Sequence, residues 1–495
     1  MKRICLTFLS CLLIINVFSQ SAPKTYGPLP TKGQLQWQET DMYCIIHFGP
    51  DTYTNKEWGY GDEDPKIVNP TEFSATQIVS SLKAGGFKGI VVVAKHHDGF
   101  CMWPTKTTEH NISKSPYKNG KGDIVKEYRE ACDKLGVKMG VYCSPWDRNS
   151  ASYGKPEYVT EVYRKQLQEL YSNYGSLFIV WHDGANGGDG YYGGAREVRK
   201  IDRSTYYGWP ETWGIARKLQ PNATIFGDVG PDVRWVGNEA GHAGETCWAT
   251  YTPHAPEPGK EPGNGFTKDE EGTEGHRDGK YWMPAECDVP LRPGWFYHAD
   301  QDEKVKTPDS LFNLYFKSVG HGACLDLGLS PDRRGLLNDN DVKALKGFGE
   351  LLKQTFAINL AKGATLKASN VRGGNQLKYG PARLLDNDRY SYWATNDNVK
   401  TPELVLDLHK KKSFNIIQLR ENIKLGQRID EVAVDVWQDG KWSQIATATS
   451  IGGNRLIRLH ESITTSKVRL RITKAPVCIA LSDFGLYSEP NLKKS

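Results

Sequence analysis

Short apolar runs alternate with amphipathic stretches from residue 42 to about residue 356 of this chain. An apolar run bounded by turn residues predicts a buried strand, whereas apolar residues spaced three and four apart predict a helix. The runs predict eight strands, at 42–48, 90–94, 137–143, 177–181, 224–229, 247–251, 281–285 and 323–327. The spacing predicts helices at 72–84, 123–135, 157–174, 212–219, 310–319 and 341–356, several of which end at a glycine.

This alternation of strands and helices predicts a parallel sheet in an α/β fold. About 330 residues suit a TIM-like (β/α)8 barrel with insertions, and a doubly wound open sheet is the alternative. The barrel is favoured because polar and aromatic residues gather just after the apolar runs, where a barrel builds its active site. Two segments without hydrophobic periodicity, 185–207 and 253–280, are predicted to be loops over that face.

The pattern changes after residue 357, where helical periodicity stops. Short alternating runs at 403–408, 415–419, 431–437 and 467–472 are separated by charged and glycine-containing turns. They predict an all-β jelly-roll sandwich. We therefore expect a barrel domain at residues 25–355 and a β-sandwich at residues 358–489.

Residues 1–20 have the pattern of a signal peptide: Lys2 and Arg3, then an apolar run, then small residues that offer a cleavage site. The run is too short for a comfortable membrane span, and no later segment is apolar enough to be a transmembrane segment. We expect an exported protein, periplasmic or secreted, with a lipoprotein anchor at Cys11 as an alternative. The remaining cysteines have no metal-type spacing and are expected to be free buried thiols.

Net charge and aromatic content narrow the class of partner. The net charge is only +5, and no Lys/Arg cluster is interleaved with aromatics, which argues against a nucleic-acid partner. Aromatic residues make up 11% of the chain and recur at the ends of apolar runs. This placement fits a cleft in which sugars stack on aromatic rings, although most aromatic residues of any protein pack its core.

The stretch from Ser176 to Gly184 carries the first candidate for chemistry. Its apolar run reads as a strand buried on both faces, and Asp183 stands at the carboxyl end of that strand. A carboxylate there is costly unless it is paired, bound to a cation, or used. A glycosidase needs a second carboxylate on the same face, and Asp232, Glu239 and Glu245 compete for that place.

Several motifs, in order and at matching spacing, resemble the α-L-fucosidases of glycoside hydrolase family 29. They are Ile46-His47-Phe48-Gly49, Glu57-Trp58, Lys95-His96-His97-Asp98-Gly99-Phe100 with Trp103 behind it, Gly140-Val141-Tyr142, and Trp181-His182-Asp183-Gly184. The segments 230–239 and 286–298 look like the subgroup that cleaves α-1,3 and α-1,4 fucosyl branches. The C-terminal domain resembles a discoidin-like (F5/8 type C) carbohydrate-binding module through residues 385–388 and Tyr392-Trp393.

The resemblance implies a retaining exo-α-L-fucosidase, with Asp183 as the nucleophile and Glu239 as the general acid/base. It also implies a set of sugar-binding residues: His47, Glu57, Trp58, His96, His97, Tyr142, Trp181 and Trp295. The residue types suit the sugar, because imidazoles and carboxylates can bind the hydroxyls of fucose while an aromatic plane suits its C–H groups and methyl. Fucosylated oligosaccharides or glycoconjugates are the expected partners, and catalysis is expected to need no cofactor.

Several assignments stay open at this point. Glu245, Glu286 and Asp288 remain alternatives to Glu239. Arg234, Glu286 and Arg292 are candidates for substrate binding, either arginine being an ordinary ion-pair partner in the alternative. A metal held by His96 and His97 together is disfavoured, because adjacent residues of a strand point to opposite faces.

The C-terminal domain carries one candidate metal site and one candidate sugar platform. Asp386 and Asp388 lie in a loop of a type that binds structural calcium in such modules. Trp393 is assigned to the core rather than to a sugar platform. The alternatives for the whole protein are a broad-specificity fucosidase that also cleaves α-1,2 links and aryl fucosides, a catalytically inactive fucose-binding lectin, and a glycan-adhesion protein.

Overall fold

The computed structural model describes residues 20–184 and 190–490. Its N-terminal half contains a parallel sheet of eight strands, which we label β1 to β8: Met42–Ile46, Gly89–Lys95, Lys138–Cys143, Ile179–Trp181, Thr224–Phe226, Arg234–Trp235, Ala285–Pro290 and Cys324–Leu329. They are hydrogen-bonded in the order β5-β4-β3-β2-β1-β8-β7-β6. A parallel bridge between Phe226 and Val233 joins the two outer strands. The sheet therefore closes into the predicted TIM-like barrel.

Helices follow the strands around the outside of the barrel, as the periodicity predicts. Their bounds are Lys32–Gln38, Pro50–Thr54, Ala75–Ala84, Ile124–Leu135, Arg164–Asn173, Trp209–Leu219, Pro308–Lys317 and Asp339–Phe356, with a π-helical segment at Tyr158–Tyr163. Capping residues explain several starts: the side chains of Ser74, Asp123 and Thr307 each accept a backbone N–H of the first turn. One continuous core cluster packs these helices on the strands.

Two of the predicted strands are wrong. Thr250–Tyr251 pairs antiparallel with Tyr281–Trp282 in a separate ribbon. The sixth barrel strand is instead Arg234–Trp235, and the seventh is Ala285–Pro290, which begins where the prediction ended. The hydrophobic pattern did not predict the strand at Arg234–Trp235, because this strand is only two residues long and contains a buried arginine.

The C-terminal domain is an antiparallel sheet of seven strands, at Thr365–Ala368, Trp393–Ala394, Glu403–Glu421, Glu431–Gln438, Lys441–Thr449, Arg455–Lys474 and Ala480–Tyr487, with a short helix at Gln376–Tyr379. The long strand Glu403–Glu421 changes neighbours at its register shifts. Its first half pairs with Thr365–Ala368 and its second half with Ala480–Tyr487. Trp393 is fully buried and donates its indole N–H to Asn370, which confirms its assignment to the core.

The two domains contact each other through directed hydrogen bonds. The backbone N–H of Ala249 donates to Gln427 Oε1 at 2.9 Å, and Arg277 pairs with Asp430 at 2.7 Å. Eight cysteines of the described residues are free and buried, as expected. The search of the described residues finds no helix both long and apolar enough to cross a membrane. Most of the proposed signal peptide, residues 1–19, lies outside the described residues.

Candidate active site

A cavity of about 280 Å³ opens at the carboxyl ends of the barrel strands. A larger cleft of about 1030 Å³ lies between the domains, near the opposite ends of β1 and β2, and holds none of the predicted catalytic groups. The small cavity brings together nine predicted residues: His47, Trp58, His96, His97, Tyr142, Trp181, Asp183, Glu239 and Trp295. We therefore take the small cavity as the candidate active site.

Asp183 lies directly beyond β4, and its carboxylate is held from two sides. The hydroxyl of Tyr142, on β3, donates to Asp183 Oδ2 at 2.7 Å. Nε2 of His97 lies 3.6 Å from the same oxygen. The amide of Asn264 donates to the backbone carbonyl of Asp183 at 2.9 Å and so fixes the chain beyond the strand. The side chain of Asp183 is 19% exposed, so a ligand in the cavity can reach it.

Three histidines line the cavity at the carboxyl ends of β1 and β2. Burial lowers the pKa of His47 well below its usual range, and the nearby His96 lowers it further. Burial likewise lowers the pKa of His97, so its contact with Asp183 is polar rather than ionic at neutral pH. Ser144 fixes the His97 ring through a 2.8 Å contact with Nδ1. Neutral imidazoles can both donate and accept hydrogen bonds, which suits the hydroxyls of a sugar.

Glu239 stands at the mouth of the cavity, on the segment that follows β6. Burial raises its pKa, the Trp295 indole offsets part of that rise, and the charges of Asp183 and Glu57 add to it. The carboxyls of Glu239 and Asp183 line the same cavity. In a pair of catalytic carboxyls, the one with the raised pKa is suited to act as the acid and the other as the nucleophile.

Two further carboxyls lie deeper in the barrel. Asp288, on β7, lines the cavity, and its Oδ1 accepts the Trp235 indole N–H at 2.6 Å. Burial raises the pKa of Asp288 well above its usual range. Glu286 is fully buried, and its carboxyl accepts hydrogen bonds from Trp181 and Tyr43. Glu286 therefore holds Trp181 from behind and does not face the cavity, which corrects its assignment to substrate binding.

Two arginines and Glu57 also lie outside the lining of the small cavity. Arg234 is fully buried and donates to the carbonyls of Gly272 and Met283. The Arg292 guanidinium is enclosed by Asp341 and Asp302. Neither arginine lines the small cavity, although Arg292 borders an adjoining cleft that begins at Glu239. Glu57 accepts the Trp295 N–H at 2.8 Å and contacts His298, so it shapes the cavity through the Trp295 loop.

The alternatives to Glu239 are also separated by position. Asp232 forms a two-pronged ion pair with Arg217, and both distances are 2.6 Å. It also accepts the backbone N–H of Ile225, so it holds the closure of the barrel. Glu245 is exposed and does not line the cavity.

Asp228 follows β5 and lines the cavity, and it was not among the residues predicted from the sequence. Burial, together with the charges of Asp269 and Asp183, raises its pKa to about 7, although it accepts the Gly265 N–H. Its carboxylate packs so closely that a Cβ at position 184 would lie 2.0 Å from Asp228 Oδ2, which explains Gly184. Its position just after a strand could have identified Asp228, but the predicted strand extended to residue 229 and so included it.

The proposed calcium loop is satisfied by its own side chains. Asp386 pairs with Arg383 and accepts Ser391 Oγ, while Asp388 accepts the backbone N–H of Tyr390. Among the described residues, two other groups bring metal-ligand atoms within 4.8 Å of one another: Asp51-His96-Asp98 and His254-Glu271-His276.

Two family models match the chain, one for each domain. Residues 26–355 match the Alpha-L-fucosidase family, and residues 365–484 match the F5/8 type C domain. Alpha-L-fucosidase 1 of Arabidopsis thaliana is 38% identical over 465 residues, which cover 93% of this chain and 88% of that protein.

Solved structures with the same architecture are also similar. A glycoside hydrolase 29 family member from an unknown rumen bacterium has a TM-score of 0.82 and 38% identity, covering 95% of this chain and 79% of that one. A family 29 fucosidase of Ruminococcus gnavus, solved in complex with fucose, has a TM-score of 0.83 and 31% identity over 96% of this chain and 98% of that one. This chain therefore belongs to the α-L-fucosidase family of glycoside hydrolases.

Proposed function

We propose that this protein is a retaining exo-α-L-fucosidase that removes terminal α-1,3- and α-1,4-linked L-fucose from branched glycans. The observation that carries the proposal is the pairing of Asp183 and Glu239 at one small cavity, where the pKa of Glu239 is raised. The volume of about 280 Å³ lies just below the range of roughly 300–1,000 Å³ that is usual for drug-sized ligands. It suits a single terminal sugar, as an exo-acting enzyme requires.

The proposed reaction has two displacements at the anomeric carbon. In the first, a carboxylate oxygen of Asp183 bonds to C1 as the glycosidic C1–O bond breaks, and Glu239 gives its proton to the leaving oxygen. In the second, Glu239 takes a proton from water, the water oxygen bonds to C1, and Asp183 leaves. Retention requires the two carboxyls to lie about 5–5.5 Å apart in the working geometry.

Asp228 is the competing proton donor, because its pKa of about 7 also keeps it partly protonated at neutral pH. The positions of the two carboxyls favour Glu239 as the proton donor. Asp228 is buried against Gly184 and accepts a backbone N–H, whereas Glu239 is only partly buried and lies at the mouth, where the leaving group must depart.

The cavity walls fit the two faces of fucose. His47 and His97, whose pKa values burial lowers, offer neutral ring nitrogens to the hydroxyls, and His96 lines the same cavity. Trp295 packs beside His47, with ring centroids 5.1 Å apart, and offers an apolar plane to C–H groups and the methyl. The complex of the Ruminococcus gnavus relative with fucose supports the same choice of sugar.

A second cleft supports a bulky leaving group. It has a volume of about 510 Å³, begins at Glu239, and continues along His242 and Lys306. A branched glycan needs such space beyond the acid/base, whereas an aryl fucoside does not. A broad-specificity fucosidase that also accepts α-1,2 links is the alternative.

The function is tested with three substrates: a neutral trisaccharide bearing α-1,3- or α-1,4-linked fucose, a linear 2-fucosyl sugar and an aryl fucoside. We expect fucose release from the branched sugar and the aryl fucoside, with the linear sugar slowest. Proton NMR of the first product should show the α-anomer. No release from any substrate would favour the fucose-binding lectin, and equal rates would favour broad specificity.

Two variants test the roles. Asp183→Gly should lose turnover by orders of magnitude, because the nucleophile is absent. Glu239→Ala should hydrolyse an activated aryl fucoside slowly, and added azide should restore the rate. Rescue of Asp228→Ala instead would move the acid/base to Asp228.

Export and calcium binding complete the proposal. If residues 1–20 are a signal peptide, the mature N-terminus should lie near residue 21. Edman sequencing after expression in a host with a secretion pathway checks this.

If Asp386 and Asp388 hold structural calcium, titration of Ca²⁺ into the protein should release or absorb heat of binding. The Asp386→Asn variant should lose that heat.

A further inference from the structure

His96, one of the histidines of the sugar cavity, belongs to a buried cluster whose two carboxyls the proposed reaction does not use. Asp51 lies on the short helix after β1, and His96 and Asp98 follow β2. Asp51 and Asp98 have no exposed surface, and His96 is 8% exposed. Each of the three residues offers one possible ligand atom, and these atoms all lie within 4.8 Å of one another. They are a carboxylate oxygen of each aspartate and a ring nitrogen of the histidine.

Four polar atoms of this cluster lack hydrogen-bond partners among the described residues. They are both carboxylate oxygens of Asp51, Nδ1 of His96 and Oδ2 of Asp98. Buried polar atoms are nearly always hydrogen-bonded, so four such atoms at one place indicate a missing ligand. The other oxygen of Asp98 accepts the N–H of Phe100 at 2.5 Å and so fixes that carboxyl.

The charge of the cluster is also unbalanced. The nearby cations have other partners: Lys95 pairs with Asp147, Lys56 lies 3.6 Å from Glu63, and Arg148 donates to the carbonyls of Gly59 and Tyr191. Two buried carboxyls without a cation are strongly unfavourable unless a proton or a metal ion compensates them.

The spacing favours an ion over a hydrogen bond. Nδ1 of His96 lies 3.6 Å from Oδ2 of Asp51, which is too long for a hydrogen bond. Two ligands that each bind one tetrahedral Zn²⁺ at about 2.0–2.2 Å are themselves about 3.4 Å apart. An imidazole with two carboxylates suits zinc or manganese, whereas calcium prefers an all-oxygen set.

We propose that Asp51, His96 and Asp98 form a buried site for one divalent first-row transition-metal ion, Zn²⁺ or Mn²⁺, that orients His96 in the wall of the sugar cavity. A metal on Nδ1 leaves the hydrogen of the ring on Nε2, so His96 becomes a fixed hydrogen-bond donor. The ion takes no part in the bond changes at C1. Its role is structural, and His96 connects it to sugar binding.

The second cluster, His254-Glu271-His276, serves as a control. Nδ1 of His254 already contacts Glu271 at 2.7 Å, and Nδ1 of His276 accepts the N–H of Thr252. An imidazole that accepts at Nδ1 carries its hydrogen on Nε2 when neutral, so the Nε2 of His276 is not a free ligand. The side chain of His254 is half exposed, so His254→Ala should not affect folding.

The experiment measures metal content of the full chain by plasma mass spectrometry after growth with added Zn²⁺ or Mn²⁺ and gel filtration in chelator. We expect about one ion per wild-type chain, the same in His254→Ala, and less than a tenth as much in Asp51→Asn and Asp98→Asn. Circular dichroism checks that the two isosteric variants fold. Wild-type protein without metal from both media would overturn the proposal in favour of a proton shared by Asp51 and Asp98. Metal lost only in His254→Ala would overturn it in favour of the surface cluster.

A kinetic measurement tests the orienting role, and this arm alone rests on the proposed function. Asp51→Asn should raise KM for an aryl fucoside about tenfold or more while kcat changes less, because sugar binding rather than proton transfer is disturbed. An unchanged KM in metal-free Asp51→Asn would overturn the orienting role. The metal content is measured without substrate, so failure of the fucosidase proposal leaves that result interpretable.

Discussion

The hydroxyl of Tyr142 donates a 2.7 Å hydrogen bond to Oδ2 of Asp183, across the neighbouring strands β3 and β4. The Tyr142 ring is fully buried and packs against Trp181, with ring centroids 5.1 Å apart. The donor is therefore held rigidly beside the carboxylate. Such an arrangement fixes which oxygen of Asp183 faces the cavity.

Tyr142→Phe should lower kcat/KM by about 10- to 100-fold, because a hydrogen bond to a charged group contributes about 1.5–3 kcal/mol. Steady-state kinetics with an aryl fucoside measures the effect. Tyr128→Phe is the matched control, since the Tyr128 hydroxyl is buried without a partner among the described residues and lies outside the cavity. Equal kinetics for Tyr142→Phe and the wild type would show that the hydroxyl does not support catalysis.

The raised pKa of Glu239 predicts the alkaline limb of the pH profile. Burial and the charge of Asp183 favour the protonated carboxyl, so activity should fall as pH rises through that raised pKa. Glu239→Gln should remove the alkaline limb of kcat/KM for an aryl fucoside and lower its maximum. Glu245→Gln, at an exposed carboxyl outside the cavity, should keep the wild-type profile. An alkaline limb that survives in Glu239→Gln would assign the proton to another group.

The barrel and most of the cavity could be predicted because the signals are local. The strand that ends at Trp181 is a continuous apolar run, and Asp183 follows it directly. Arg234 was misassigned because the groups that enclose it, Gly272 and Met283, are far away in sequence. Its role depends on long-range packing, and no local pattern contains that information.

The same limit applies to Glu286 and Asp228. Glu286 lies on a barrel strand, where inward and outward positions alternate, and its partners Trp181 and Tyr43 come from β4 and β1. Asp228 was hidden because the apolar residues around it extended the predicted strand, whereas the structure ends β5 at Phe226. The end of a strand is set by its neighbours in the sheet, and a single sequence defines it poorly.

Asp232→Ala should destabilise the barrel without changing its chemistry. The Asp232 carboxylate is almost fully buried, pairs with Arg217 and accepts the N–H of Ile225 beside the closing bridge of the barrel. Removing it leaves that N–H unsatisfied, at a cost of about 1–3 kcal/mol. The melting temperature should fall by several degrees, while kcat and KM of the folded fraction stay within about twofold. Loss of turnover in folded Asp232→Ala would instead make Asp232 a member of the active site.

Asp228→Asn should stabilise the protein at neutral and alkaline pH but not at acidic pH. The folded pKa of Asp228 is about 7, compared with the ordinary value of 3.8. The folded state therefore holds a proton that the unfolded state releases between these values, and stability declines as pH rises from about 4 to about 7. The loss accumulates at about 1.4 kcal/mol per pH unit and stays constant above pH 7. Asparagine carries no charge and retains an acceptor for the Gly265 N–H.

The gain in melting temperature of Asp228→Asn over the wild type should therefore be near zero at pH 4 and largest at pH 8. Differential scanning fluorimetry across this range measures it. Asp278→Asn, at a carboxyl that is 89% exposed, should show no such pH-dependent gain. A gain that is equal at pH 4 and pH 8 would mean that packing rather than the buried charge decides the effect. A gain in melting temperature that appears only above pH 4 would show that the ionised Asp228 carboxylate destabilises the folded protein.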